Sequence, residues 1–272
     1  MGYNKVIDCF IFYNELELLT YRLNSLNDVV DYFIIVESTH TFSGKEKELI
    51  FNNNKNLFEN FKDKIIHIIV DDFPYKYPNI NYQNKEQWEN EYHQRNSISL
   101  GLSKLNIDNS DIIIISDVDE IPDIERLYEM KYNKSILNTT GICALEMDLY
   151  YYNLNTLFKE KWSSSKVISY AKYKELNITC EEIRMLNCMR IKNGGWHLSY
   201  FGDTVFIKNK INSFSHQELN LDIFTDVEKI EQRIKNSSDL YDRRECGMSN
   251  VPISDNQYLP TGYKKYLKNF YI

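Results

Sequence analysis

The sequence predicts an α/β fold of Rossmann-like type, a central, mostly parallel mixed sheet flanked by helices. Three observations predict it. A strand, a helix and a second strand follow one another between Val6 and Val36, the span of a right-handed βαβ unit with parallel strands. The run Ile112-Ile113-Ile114-Ile115 is apolar throughout, as a strand covered on both faces is. Asn14, Glu37 and Asp117 each follow a strand-like run. Ligands of open parallel sheets bind outside the carboxyl ends of the strands, so these three residues face one edge.

The elements follow in order. Val6 to Tyr13 is the first strand, closed by Asn14-Glu15. Leu16, Leu18, Leu19, Leu23 and Leu26 then recur near helical spacing. Tyr32-Phe33-Ile34-Ile35-Val36 is the second strand and ends at Glu37-Ser38-Thr39. Ile65 to Val70 is the third, followed by Asp71-Asp72. Trp88 to Leu105 reads as helical, with Arg95 inside it. Asp111 to Ser116 is the fourth strand, and Asp117-Val118-Asp119-Glu120-Ile121-Pro122 sits at its C-terminal end. The rest is less regular. Ile142 to Tyr152 reads as a strand, and Trp162 to Tyr173 as strands of a mixed sheet. Gly194-Gly195-Trp196-His197 reads as a turn leading into Phe201-Gly202-Asp203. Asp226 to Lys235 reads as a helix capped by Thr225, with Glu228 three residues on. No internal repeat or linker interrupts the chain, which predicts a single domain over 1–272.

Composition excludes several classes. Hydrophobic residues make up 43% and charged residues 26% of the chain, which argues against disorder. The net charge is −7 and no basic run clusters, which argues against a nucleic-acid partner. The cysteines Cys9, Cys143, Cys180, Cys188 and Cys246 contain no C-x-x-C pair. Free thiols in a reducing compartment are expected rather than a zinc site or disulfide framework. No stretch reaches the ~18 consecutive apolar residues of a membrane span, and no cleavage site follows the first strand. The expectation is a soluble, cytoplasmic protein without a membrane anchor of its own.

Asp117-Val118-Asp119 sets two carboxylates two residues apart at a strand end, where both can converge on one cation. Hard oxygen ligands favour Mg²⁺ or Mn²⁺, ions that keep waters and take phosphate oxygens as further ligands. The alternative is a pair of strand-terminating surface acids, since a D-x-D triplet alone is a weak signal. Its place between an isoleucine strand and Glu120-Ile121-Pro122 favours the cation site. Transfer of a sugar from a nucleoside diphosphate needs such an ion, because charge builds on the expelled diphosphate. It also needs a base for the acceptor hydroxyl.

At this point the chain resembles a known family. Phe12-Tyr13-Asn14-Glu15 and Val30 to Ser38 are similar to the nucleotide half of a GT-A glycosyltransferase. Asp117 to Pro122, Gly195-Trp196-His197-Leu198-Ser199 and the segment from Lys210-Ile211 through Ser215-His216-Gln217-Glu218 resemble glycosyltransferase family 17. Thr41 to Lys45 and Glu91 to Asn96 fit the same pattern. The resemblance implies a GT-A fold, inverting transfer, and a UDP-sugar donor, with UDP-GlcNAc first among donors. It implies a nucleotide-binding half over about 1–122 and an acceptor-binding half over about 123–272, with a carbohydrate or glycoconjugate acceptor. Asn14, Glu15 and Glu37 would line the nucleotide pocket, and Arg95 would approach the diphosphate as a fixed cation. Asp119 would bind the metal directly, with Asp117 on the ribose or a metal-bound water.

Histidine ligates transition metals, and His216 and His197 are the two candidates. His216 is the expected ligand, and His197 the expected diphosphate or acceptor contact. Trp196 stacks on a sugar or packs in the core. The segment at Gly194-Gly195-Trp196 resembles the Gly/Trp-rich acceptor region that precedes the base in other inverting GT-A enzymes, which implies Asp203 as the first choice of base, with Glu218, Asp148 and Glu146 as rivals. Two other classes remain in view. A sugar nucleotidyltransferase would need a glycine-rich phosphate loop after the first strand, and Phe12-Tyr13-Asn14-Glu15-Leu16 has none. A non-catalytic carbohydrate-binding protein gives no reason for the acidic triplet.

Overall fold

The computed structural model describes residues 4–133, 135–243 and 247–271. Its strands are β1 (Val6–Phe12), β2 (Tyr32–Ser38), β3 (Ile65–Val70), β4 (Ile112–Asp117), β5 (Glu120–Pro122), β6 (Ile142–Tyr151), β7 (Thr156–Phe158), β8 (Lys166–Ser169), β9 (Arg190–Ser199) and β10 (Met248–Asn250). They form one sheet in the order β10-β7-β6-β8-β4-β1-β2-β3, with β9 paired to β5 and β6. β4, β1, β2 and β3 are mutually parallel. The chain lays β2 and β3 on one side of β1, then returns to place β4 on the other. That reversal is a topological switch point, and the carboxyl ends of β1 and β4 flank it. Beyond β4 the sheet is mixed: β8, β6, β7 and β10 follow in antiparallel pairs, and β9 runs parallel to β6.

Alternation along each strand explains the unbroken apolar runs. Phe10 and Phe12 of β1, Phe33 and Ile35 of β2, and Ile112 and Ile114 of β4 pack with Leu19, Leu23 and Leu26 of helix Leu16–Leu26. The intervening Ile7, Cys9, Ile34, Val36, Ile113 and Ile115 pack with Ile98 and Leu102 on the opposite face. Fully burying one such side chain contributes about 1.5–3 kcal/mol, so these strands are apolar along most of their length, and the one charge inside β1, Asp8, is buried with a partner.

The structure departs from expectation in four places. The helix read over 88–105 is two helices, Glu86–Asn96 and Ile98–Leu102, parting at Ser97. Of the 162–173 segment only β8 is a regular strand, and Ser169 then caps helix Tyr170–Leu176 by accepting from the Lys172 amide at 3.2 Å. Gly194-Gly195 is not a turn but lies inside β9. Gly195 has φ +137°, and a Cβ there would sit 2.1 Å from the Ile121 carbonyl oxygen, so the β5–β9 pairing requires glycine. The cap of helix Val227–Lys235 is Asp226, which accepts from the Lys229 amide at 3.0 Å, and not Thr225, whose hydroxyl turns back to the Leu221 carbonyl.

Cys9, Cys143, Cys180 and Cys188 are free thiols, and Cys246 lies outside the described residues. Among the described residues no helix is long and apolar enough to cross a membrane.

Candidate active site

The acidic turn is built from below. Arg22, on helix Leu16–Leu26, is fully buried and pairs through Nε and Nη2 with both carboxylate oxygens of Asp8 at 2.8 and 2.6 Å. Its Nη1 donates to the carbonyls of Asp117, Val118 and Glu120 at 2.8, 3.2 and 2.7 Å. One planar guanidinium thus fixes the backbone between β4 and β5, and the side chains of Asp117 and Asp119 face a cleft of about 450 Å³.

The acids in the cleft share a few cations. Asp117 Oδ1 accepts from Arg95 Nη2 at 3.0 Å, and Oδ2 from Arg184 Nη2 at 2.7 Å. Arg95 is buried and also meets Glu91 and Glu181. Arg184 forks onto Glu120, which further accepts from Trp162 Nε1 and the Ser165 hydroxyl. Asp119 Oδ2 accepts from Lys210 Nζ at 2.8 Å, and its Oδ1 lies 3.5 Å from His197 Nε2. Burial pushes the Asp119 carboxyl up, but the Lys210 ammonium and His197 outweigh it and hold it well below the usual carboxylate range. Burial likewise works against the Lys210 ammonium, but Asp119 and Glu15 outweigh it and keep the group charged. The pairs are mutually reinforcing, so Asp119 is an ionised carboxylate in the cleft.

Of the residues singled out from sequence, Glu15, Arg95, Asp117, Asp119, His197 and His216 line this cleft. The others do not. Asn14 stands beside it with its Oδ1 buried and without a hydrogen-bond partner. Glu37 is fully buried and accepts from the Phe51 and Asn52 amides and faces His67 Nε2 at 3.0 Å. It caps helix Ile50–Asn53 instead of opening to a nucleotide. Trp196 packs its ring 4.7 Å from Tyr258 and donates Nε1 to the Tyr258 carbonyl, so it is core and not a sugar platform. On β6 and β9 the cleft receives Leu149, Tyr151, His197 and Ser199. Asp148 belongs with the alternate positions, where it pairs with Lys161. Glu146 does not reach the cleft either. Asp203 is exposed and caps helix Thr204–Ser213, accepting from the Phe206 amide at 2.7 Å. Glu218 is exposed and meets His216 Nδ1 at 2.7 Å.

The expected metal triad therefore does not assemble. Asp117 has both oxygens on guanidinium groups, and His216, 48% exposed, sits on Glu218 instead of beside Asp119. Among the described residues no group of three or more His, Cys, Asp or Glu is placed to hold a metal. Asp119 with His197 is a smaller donor set, and His197 Nδ1 is buried without a partner. Mg²⁺-like ions bind through one or two carboxylates and fill the remainder with water and phosphate, and Asp119 with His197 fits that pattern.

Sequence reading missed Arg22, Arg184 and Lys210. Arg22 carried a signal: it falls within the leucine stripe, three residues after Leu19 and four before Leu26, where a charge must find a buried partner. Arg184 carried none, since its partners are distant in sequence, and Lys210 stood only as the first residue of a segment that resembles the family, with no role given to it.

The family model described as Glycosyltransferase family 17 matches residues 2–245. The chain is 32% identical over 122 residues to the beta-1,4-mannosyl-glycoprotein 4-beta-N-acetylglucosaminyltransferases of Rattus norvegicus and Homo sapiens. That alignment covers 43% of this chain, and the chain spans only 22% of the length of each relative. Among solved structures, a mannosyltransferase from Pyrobaculum calidifontis in complex with GDP-Man and Mn²⁺ aligns at 10% identity with a TM-score of 0.43, over 78% of this chain and 62% of that one. At that score the likeness decides nothing about the site.

Proposed function

The chain belongs to glycosyltransferase family 17, and from that membership and the geometry of the cleft we propose that it moves a sugar, N-acetylglucosamine first among them, from a UDP-sugar to a carbohydrate hydroxyl with inversion, assisted by Mn²⁺ or Mg²⁺. The observation that carries this reading is Asp119, 2.8 Å from Lys210 Nζ and 3.5 Å from His197 Nε2 at the switch point of the sheet. Tyr13, Ser38 and Thr41 follow β1 and β2 into the cleft and would take the nucleoside. Arg95 and Arg184 fix Asp117 and make a rigid wall of paired charges where the diphosphate would lie. Asp119 and His197 would hold the divalent ion, which would supply Lewis-acid neutralisation of a departing diphosphate. His216 lines the cleft and is oriented by Glu218. A histidine held by a carboxylate is suited to accept the proton of an acceptor hydroxyl, so this pair replaces Asp203 as the base.

The test is a panel of UDP-sugars, with and without glycan acceptors, in the presence of Mn²⁺. Hydrolysis or transfer from UDP-GlcNAc that is lost in Asp119→Asn is the expected result. No turnover with any UDP-sugar under any of these conditions would overturn the reading.

A further inference from the structure

Lys210 is the ammonium that pairs with Asp119 of the acidic turn. Its Nζ lies 2.8 Å from Asp119 Oδ2, 3.5 Å from Glu15 Oε1 and 5.6 Å from the centre of the Tyr200 ring. The helix that carries it is anchored at both ends. Asp203 caps its start, and its end is tied to the loops after β1 and β2 by Tyr13–Ser213 and Ser43–Asn212 hydrogen bonds. The backbone is therefore fixed, while a lysine side chain keeps a flexible four-carbon stem.

The charge balance of the cleft gives this flexibility a use. Among the described residues five carboxylates line it, and five permanent cations face them: Lys47, Arg95, Arg184, Lys210 and Arg243. Arg95 and Arg184 are buried and forked between acids, so they cannot turn without leaving charges unpaired. Lys210 is 18% exposed, opens to the cleft and holds its partners through one ammonium. Asp119 is its main partner and also the carboxylate that fits a divalent ion. A cation within a few ångströms of an ammonium repels it, so the two compete for one carboxylate.

We propose that Lys210 is an exchangeable counter-ion: it neutralises Asp119 until that carboxylate binds a divalent cation, and then pairs with an oxygen of the bound nucleoside diphosphate. Lys210 thereby weakens cation binding in the absence of nucleotide and strengthens nucleotide binding in its presence, which couples the two ligands. The nucleotide half rests on the transferase reading; the cation half does not.

The experiment titrates the full chain with Mn²⁺ alone, following the free ion by electron paramagnetic resonance. Lys210→Met is expected to bind Mn²⁺ roughly twofold to fivefold more tightly than the wild type, the scale of one partly exposed charge pair. At saturating Mn²⁺ it is expected to bind UDP more weakly by a similar factor. Asp119→Asn should abolish the Mn²⁺ site in both backgrounds. A folded Lys210→Met chain with unchanged or weaker Mn²⁺ affinity overturns the proposal, as does UDP affinity that the substitution leaves intact. Tighter Mn²⁺ binding in a chain that binds no UDP in any form supports the exchange and sinks the transferase reading instead. Wild-type protein provides an arm that needs no variant. Amine acylation of Lys210, read by peptide mass, should rise when Mn²⁺ is added, and unchanged labelling overturns the proposal.

Discussion

Arg22 Nη1 donates to the Asp117 carbonyl at 2.8 Å, directly beneath the turn whose carboxylates face the cleft. The same guanidinium is held by Asp8, and both side chains are inaccessible to solvent. Removing one partner of a buried ion pair costs about 3–5 kcal/mol, because the other charge is left uncompensated. Arg22→Met is therefore expected to lower the unfolding free energy by that amount in urea titrations. Arg22→Lys keeps the charge but loses the planar fork. It should stay folded with reduced turnover, since the Val118 and Glu120 carbonyls would no longer share one donor group. A Met variant as stable as the wild type would contradict this account.

Asp203 separates two roles by their signatures. As an N-cap, its replacement by Ala should cost about 1 kcal/mol, while Asn, an equally good cap, should cost little. Turnover per folded molecule should stay unchanged in both variants. A general base would behave differently, with both variants losing on the order of a hundredfold or more in kcat. Thermal melts beside steady-state rates of the two variants decide it.

The first half of the fold was legible because parallel strands covered on both faces leave unbroken apolar runs, as Ile112 to Ile115 does. The position of Asp117 and Asp119 followed from that. The second half was not legible, for a related reason. Both faces of β6 and of β9 from Gly194 onward are largely buried, so hydrophobicity alone does not say which alternate residues meet the cleft. Leu149, Tyr151, His197 and Ser199 do, whereas Asp148, Tyr150, Trp196 and Leu198 fall on the other side. Gly194-Gly195 looked like a turn because its reason for being glycine, the approach of Ile121, is not local. Helix Thr204–Ser213 was not read from the sequence, so Asp203 stood there as a carboxylate and not as an N-cap.

Trp196 and Trp162 should respond oppositely to substitution. Trp196 is buried against Tyr258, away from the cleft. Trp196→Ala is expected to cost about 3–5 kcal/mol of stability through the cavity it leaves. The milder Trp196→Phe should leave the KM for a UDP-sugar unchanged. Trp162 lines the cleft, bonds Glu120 and lies 4.6 Å from the His197 ring. Trp162→Phe should raise that KM with a small change in melting temperature. A Trp196→Phe chain with impaired donor binding and normal stability would return Trp196 to the substrate.

Glu91 supplies a pH signature of the arginine network. Burial pushes its carboxyl up, but the Arg95 guanidinium and the Ser215 hydroxyl outweigh burial and hold it below the ordinary value. A carboxyl depressed in the folded state contributes stability above its unfolded value of about 4.3. That contribution is lost as pH falls through the lower folded-state value. The folded chain resists the proton that the unfolded chain accepts, so the wild type should lose unfolding free energy progressively below about pH 4.3. Glu91→Gln cannot take up that proton. Its stability should be lower at neutral pH, because Arg95 loses a charged partner, and its acid limb should be shallower. Urea unfolding at a series of pH values measures both slopes. Equal slopes for the two proteins would mean that the proton uptake lies elsewhere and that Arg95 does not hold Glu91 ionised.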